Sequence, residues 1–77
     1  VEFKAINLST LEELASKNNL TEVTFDTLVQ AGFVSGNDKV KILGNGTITR
    51  ALAVKANAFS KSAEAAIVAA GGSIEKL

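Results

Sequence analysis

Three short stretches of this chain hold residue types that could do chemistry. Ser60-Lys61-Ser62 sets hydroxyls beside an amine, the pairing of a lysine-activated serine nucleophile. Neighbouring residues at a helix start diverge, however, and no third group orients them. Ser60 reads instead as the cap of a helix. Gly44-Asn45-Gly46-Thr47-Ile48-Thr49 begins like a dinucleotide loop. Thr49 stands where the third glycine belongs, and no long helix follows directly to meet a phosphate. Glu12 and Glu13 are sequence neighbours on a helix and cannot converge as a carboxylate pair, so they read as a solvated first turn.

The remaining chemistry is electrostatic. Formal net charge is zero, but the signs are separated. Residues 1–38 carry Lys4 and Lys17 against Glu2, Glu12, Glu13, Glu22, Asp26 and Asp38, a balance of −4. Residues 39–77 carry Lys39, Lys41, Arg50, Lys55, Lys61 and Lys76 against Glu64 and Glu75, a balance of +4. From Lys39 to Lys61 no acidic residue interrupts the basic ones. That run points to a polyanion on one side of the molecule.

Composition narrows the function classes. There is no Cys, hence no disulfide, thiolate metal site or thiol nucleophile, and no His, the usual general base and commonest metal ligand. An enzyme would have to work with Ser, Thr, Lys, Asp and Glu alone, so the chain is read as a non-enzyme without cofactor or metal. The apolar runs fall far short of the ~20 residues of a membrane span. Hydrophobic content of 47% is that of a folded domain. At 8.0 kDa the chain makes one small domain, with a folded surface expected near 4,500 Å². It begins with Val1 and not Met, which reads as a segment of a longer chain.

The elements that must position these residues alternate. Val1, Phe3 and Ala5 alternate with Glu2 and Lys4, the period of a half-buried strand with Phe3 inward. Helices are expected over 9–18, 24–32 and 61–71. Ser9 with Glu12 has the spacing of a capping box, and Leu11, Leu14 and Ala15 share one face. Thr24 opens the second helix, with Val23 and Leu28 at the staple positions and Gly32 as the stop. Ser60 caps the third, which buries Ala63, Ile67 and their neighbours and ends at Gly71-Gly72. Val40 to Leu43 is a strand, Asn45-Gly46 is a hairpin turn, Ile48 to Ala56 is a broken strand, and Ser73 to Leu77 is a last strand. That hairpin would set Leu43 against Ile48 and Lys41 against Arg50, two opposed cations that hint at an anion between them. A longer irregular connection from Gly44 to Ala51 would dissolve the pairing. Phe25, Phe33 and Phe59 read as core, and none of the four phenylalanines stands in an aromatic–basic interleave. Three capped helices, each followed by a strand, suggest a weak repeat.

From Lys41 onward the order becomes familiar. Lys41-Ile42-Leu43-Gly44-Asn45-Gly46, Leu52, Val54, Lys55-Ala56-Asn57, Phe59-Ser60, Ala63, Ile67 and Gly71-Gly72 resemble the signature of the bacterial large-subunit ribosomal protein L-fifteen family. Ile6-Asn7-Leu8, Val23-Thr24 and Leu28 through Gly32 are similar too. The resemblance spans the chain but only the family's C-terminal globular half, and it implies that a Gly- and Arg-rich basic N-terminal extension is absent from residues 1–77. It implies an α/β fold of irregular strand–helix units wound as a short superhelix. It implies a structural constituent of the large ribosomal subunit, cytoplasmic within the ribosome and monomeric outside it. The partners would be 23S-type ribosomal RNA and neighbouring ribosomal proteins, the role binding RNA and supporting subunit assembly in translation. Lys41, Asn45, Lys55, Asn57, Ser60 and Lys61 match polar or basic positions of the family. Of these, Lys41, Asn45, Lys55, Asn57 and Lys61, with Lys39 and Arg50 from the basic run, form the expected RNA-binding set. Ala51 and Ala58 stand where relatives often carry Lys, which lightens that face. The alternative is a protein-interaction module whose acidic half docks a basic partner.

Overall fold

Short apolar strands and capped helices alternate along the chain. The computed structural model describes residues 3–36 and 38–77. The order is β1 (Phe3–Asn7), α1 (Leu8–Asn18), β2 (Glu22–Val23), α2 (Phe25–Gln30), β3 (Lys39–Leu43), β4 (Ala53–Ala56), β5 (Ala58–Phe59), α3 (Lys61–Ala69) and β6 (Ser73–Lys76). Every strand pairs in parallel with the strand two along. One sheet is thus β1-β3-β5, here sheet A, and the other is β2-β4-β6, sheet B. Parallel neighbours need a crossover of about a dozen residues, and each crossover passes through the other sheet.

The chain therefore winds as a short superhelix. One turn runs β1–α1–β2, the next runs β3, an irregular segment and β4, and the third runs β5–α3–β6. This is the α/β superhelix expected from the sequence. The repeated unit is a strand pair and its connection, and α2 belongs to the return path, not to a unit of its own.

The core lies between the inward faces of the sheets. Ile6, Val40 and Ile42 enter it from sheet A, and Val23, Val54 and Ala56 from sheet B. Leu11, Leu14 and Ala15 of α1, Leu28 of α2 and Ala63 and Ile67 of α3 complete it. The five residues whose periodicity best marks them as core, Leu14, Leu28, Ile42, Val54 and Ile67, are all buried. Folded surface is 4497 Å², the value that mass scaling sets for a fully compacted chain.

Local signals place the helices. Thr24 and Thr27 form a reciprocal capping box, with Thr27 N–H donating to Thr24 Oγ1 at 3.2 Å. Ala63 N–H donates to Ser60 Oγ at 3.2 Å. Each helix ends in a left-handed residue, Asn19, Gly32 or Gly71. The next N–H then reaches back to the carbonyl five residues earlier: Leu20 to Ala15, Phe33 to Leu28, Gly72 to Ile67.

Several expectations fail, each for a tertiary reason. There is no hairpin at Asn45-Gly46, because β3 is already paired on both edges, with β1 and β5. The Lys41–Arg50 and Leu43–Ile48 pairs do not form. Residues 44–52 are irregular, and only Ala53–Ala56 of the expected broken strand pairs. Ser9 and Glu12 form no capping box: α1 begins at Leu8, and its cap residue Asn7 makes no side-chain cap bond. Phe3 is 47% exposed, because register with β3 puts Ile6 on the inward face beside Ile42 and Phe3 on the outward face beside Lys39. Phe33 is also exposed, since it follows the stop of α2 and Val34 takes the buried place. Phe25 and Phe59 pack half-buried on the core. Val1, Glu2 and Asn37, placed by the sequence in a strand and a turn, lie outside the described residues.

Candidate nucleic-acid interface

β3 alternates Lys39, Val40, Lys41, Ile42 because one face of sheet A meets the core and the other meets solvent. Val40 and Ile42 are fully buried, so Lys39 and Lys41 project from the outward face. On that face Phe3 is in register with Lys39, and Ala5 and Ala58 flank Lys41. Neither lysine lies within ion-pair distance of a carboxylate among the described residues.

Lys55 is placed differently. It lies on the outward face of sheet B, in register with Glu75. Its ammonium stands 3.8 Å from Glu22 and 3.9 Å from Glu75. This positive charge of the basic run is thus met by two carboxylates of the protein itself.

Asn57 forms the corner between β4 and β5. Its Oδ1 accepts the Val40 N–H at 2.8 Å, and its own N–H donates to the Val40 carbonyl at 3.0 Å. Val40 is fully buried, so this side chain satisfies a ladder group that would otherwise lack a partner. Asn45 lies in the irregular segment. Its carbonyl accepts Ser9 N–H at 3.2 Å, and its Nδ2 donates to Asn7 Oδ1 at 3.3 Å. Gly46, with φ +94°, is pressed against Ser9; an added Cβ would lie 2.6 Å from Ser9 Cβ. The close approach of this segment to α1 accounts for the glycine.

Arg50 borders an open groove of about 590 Å³ between α1 and the irregular segment, lined also by Ser9, Glu12, Glu13, Lys17 and Thr49. Glu12 accepts the Thr49 hydroxyl at 2.6 Å and the Thr49 N–H at 3.2 Å. The Thr49 hydroxyl is the main cause holding this carboxyl below its ordinary value, followed by the Thr49 N–H, with the Arg50 charge adding to both. Lys61 opens α3 and is exposed. Ser60 is occupied as a cap and lies 3.3 Å from Ser62 Oγ, so no serine–lysine pair forms.

The seven expected residues therefore do not make one patch. Lys39 and Lys41 share a face, Lys55 faces outward from the other sheet, Asn45 and Arg50 lie in the irregular segment, Asn57 holds a corner and Lys61 starts α3. Phe3, which sequence reasoning placed in the core, joins the two lysines. Its signal was available only through strand register.

The family model that groups the ribosomal proteins 50S-L15 and 50S-L18e with their 60S counterpart matches residues 5–75. The chain belongs to this family. A relative named large ribosomal subunit protein uL15, from Bacteroides thetaiotaomicron, is 58% identical over 77 residues, all of this chain and 52% of the relative. The protein of the same name from Porphyromonas gingivalis W83 is also 58% identical with the same coverage. That from Azobacteroides pseudotrichonymphae is 47% identical over 74 residues, 96% of this chain and 49% of the relative. The chain thus spans about half the length of these family members. Among the described residues, no helix is long and apolar enough to cross a membrane.

Proposed function

We propose that this chain is an RNA-binding structural domain of the large ribosomal subunit, contacting ribosomal RNA and supporting assembly of that subunit in the cytoplasm. Family membership supports the setting. The observation that carries the RNA contact is the pair of lysines on sheet A. Lys39 and Lys41 point outward in one row with no carboxylate of the described residues against them. Lysines in such a row meet phosphates, which fix position without reading sequence.

Part of the charge of the acidic half is engaged within the chain. Glu12 is engaged by Thr49, Glu22 by Lys55 and Asp38 by Ser35. Three of its carboxylates thus serve internal contacts, and docking of a basic protein by residues 1–38 is the lesser reading.

The test is co-sedimentation of the chain with large ribosomal subunits, together with direct binding to large-subunit RNA fragments. Wild-type chain should co-sediment and bind with an affinity that falls as salt rises. A Lys39→Glu, Lys41→Glu double variant should lose most of that binding. Equal binding by wild type and double variant would move the RNA face off sheet A.

A further inference from the structure

The outward face of sheet A holds an aromatic ring among its cations. Phe3 is 47% exposed and is the register partner of Lys39. Neighbouring strands lie ~4.8 Å apart, so ring and ammonium stem rise side by side. Lys41 follows two residues along the strand, ~6.6 Å further at ~3.3 Å per residue. Ala5 and Ala58 flank it in register, so the ring and the two lysines stand above a low floor of methyl groups. A lone exposed phenylalanine is ordinary on a protein surface. Two cations in the same short row, neither ion-paired among the described residues, give this one a specific use.

Resting on the RNA reading above, we propose that the outward face of sheet A holds an unpaired RNA strand, with one base stacked on Phe3 and adjacent phosphates on Lys39 and Lys41. A paired base is already stacked within its helix and offers no face to an exposed ring. An unpaired base has a free π-face, and every base type can use it. The lysines supply the electrostatic track that such aromatic platforms require. The ring selects unpaired over paired RNA, and the lysines set the salt dependence.

The experiment compares a labelled single-stranded oligoadenylate with a fully paired RNA hairpin by fluorescence anisotropy. It uses wild-type chain, Phe3→Ala, Phe3→Trp and the Lys39→Glu, Lys41→Glu double variant. Wild type should prefer the single strand. Phe3→Ala should weaken single-strand binding roughly 5- to 150-fold while leaving the salt slope and hairpin binding unchanged. The chain has no Trp of its own, so Phe3→Trp places a single reporter whose emission should be quenched by the stacked base. This variant also keeps the test open if Phe3→Ala fails to fold. The double variant should lose both affinity and slope. Unquenched indole emission from the Phe3→Trp variant at saturating oligoadenylate, or unaltered binding by folded Phe3→Ala, would overturn stacking; loss of binding in the double variant would still uphold the RNA reading. If no form binds either RNA, the RNA reading falls and the stacking with it; if RNA binds but charge reversal changes nothing, the RNA face lies off sheet A and the stacking alone falls.

Discussion

The Glu12 carboxylate takes both donors of Thr49, the hydroxyl at 2.6 Å and the backbone N–H at 3.2 Å, and so ties α1 to the irregular segment between β3 and β4. The contact joins two turns of the superhelix across 37 residues of sequence. It also has a pH signature. The folded-state pKa of Glu12 lies below the ordinary value of 4.5, first because of the Thr49 hydroxyl. A carboxylate with a depressed folded pKa contributes stability that is present above its unfolded value and is lost as pH falls through the folded one. Glu12→Gln should therefore melt at a lower temperature than wild type at neutral pH. The two curves should converge as pH falls from neutral through the lowered folded value of Glu12, below which the wild-type carboxyl is protonated in both states. Thermal midpoints across that range check it, and a constant offset at all pH values would contradict it. Asp38, lowered chiefly by the Ser35 N–H, acts with the same sign, which is why the comparison is made within one variant pair.

Truncation of the core should be strongly destabilising at two points. Leu28 and Ile67 are fully buried and join α2 and α3 to the core between the sheets. Replacing either with Ala should cost about 2–5 kcal/mol, the range for aliphatic side chains whose cavity cannot collapse. Urea midpoints should fall accordingly. An unchanged midpoint would mean that the side chain lies outside the cooperative core.

Asn57 should behave as a structural residue. Asn57→Ala leaves the Val40 N–H without its 2.8 Å acceptor at a position with no solvent access. Such a loss costs about 1–3 kcal/mol. Urea unfolding should show it in the absence of any RNA, and any RNA defect should follow the fraction folded. A fully stable Asn57→Ala variant with weakened RNA binding would reassign this side chain to the interface.

What the sequence made legible is what is locally determined. Thr24 and Ser60 cap their helices because the donors they satisfy lie three residues away. Gly32 and Gly71 end helices because their own backbones turn left-handed. The strand over Val40 to Leu43 was legible as well, and with Val40 and Ile42 buried its alternation leaves Lys39 and Lys41 outward. Strand pairing was not legible, because β1 and β3 meet over 36 positions, Phe3 to Lys39. That pairing decides the phase of β1, and so turns Phe3 from a core residue into a surface one. It also occupies the edge that Asn45-Gly46 would have folded back upon. Glu12 illustrates the same limit: Ser9 offered it a local partner at the proper spacing, and the fold gave it Thr49.

The basic run should divide when its charges are reversed one at a time. Lys55 is already met by Glu22 and Glu75 at 3.8 and 3.9 Å, whereas Lys39 and Lys41 face solvent beside Phe3. All three side chains of this cluster are more than a third exposed, and surface pairs of this kind are worth about 0–1 kcal/mol. Lys55→Glu sets three carboxylates together on sheet B, so it should lower stability modestly. It should leave the slope of log affinity against log salt on a single-stranded RNA where it was. Lys39→Glu and Lys41→Glu should each flatten that slope, by about 0.7 for each phosphate contact removed. They should do so at nearly unchanged stability, because neither breaks an ion pair among the described residues. A salt series on the three single variants, with melts alongside, separates the two behaviours. Should Lys55→Glu flatten the slope as much as Lys41→Glu, phosphates would reach the outward face of sheet B as well, and the interface would wrap the domain instead of lying on sheet A.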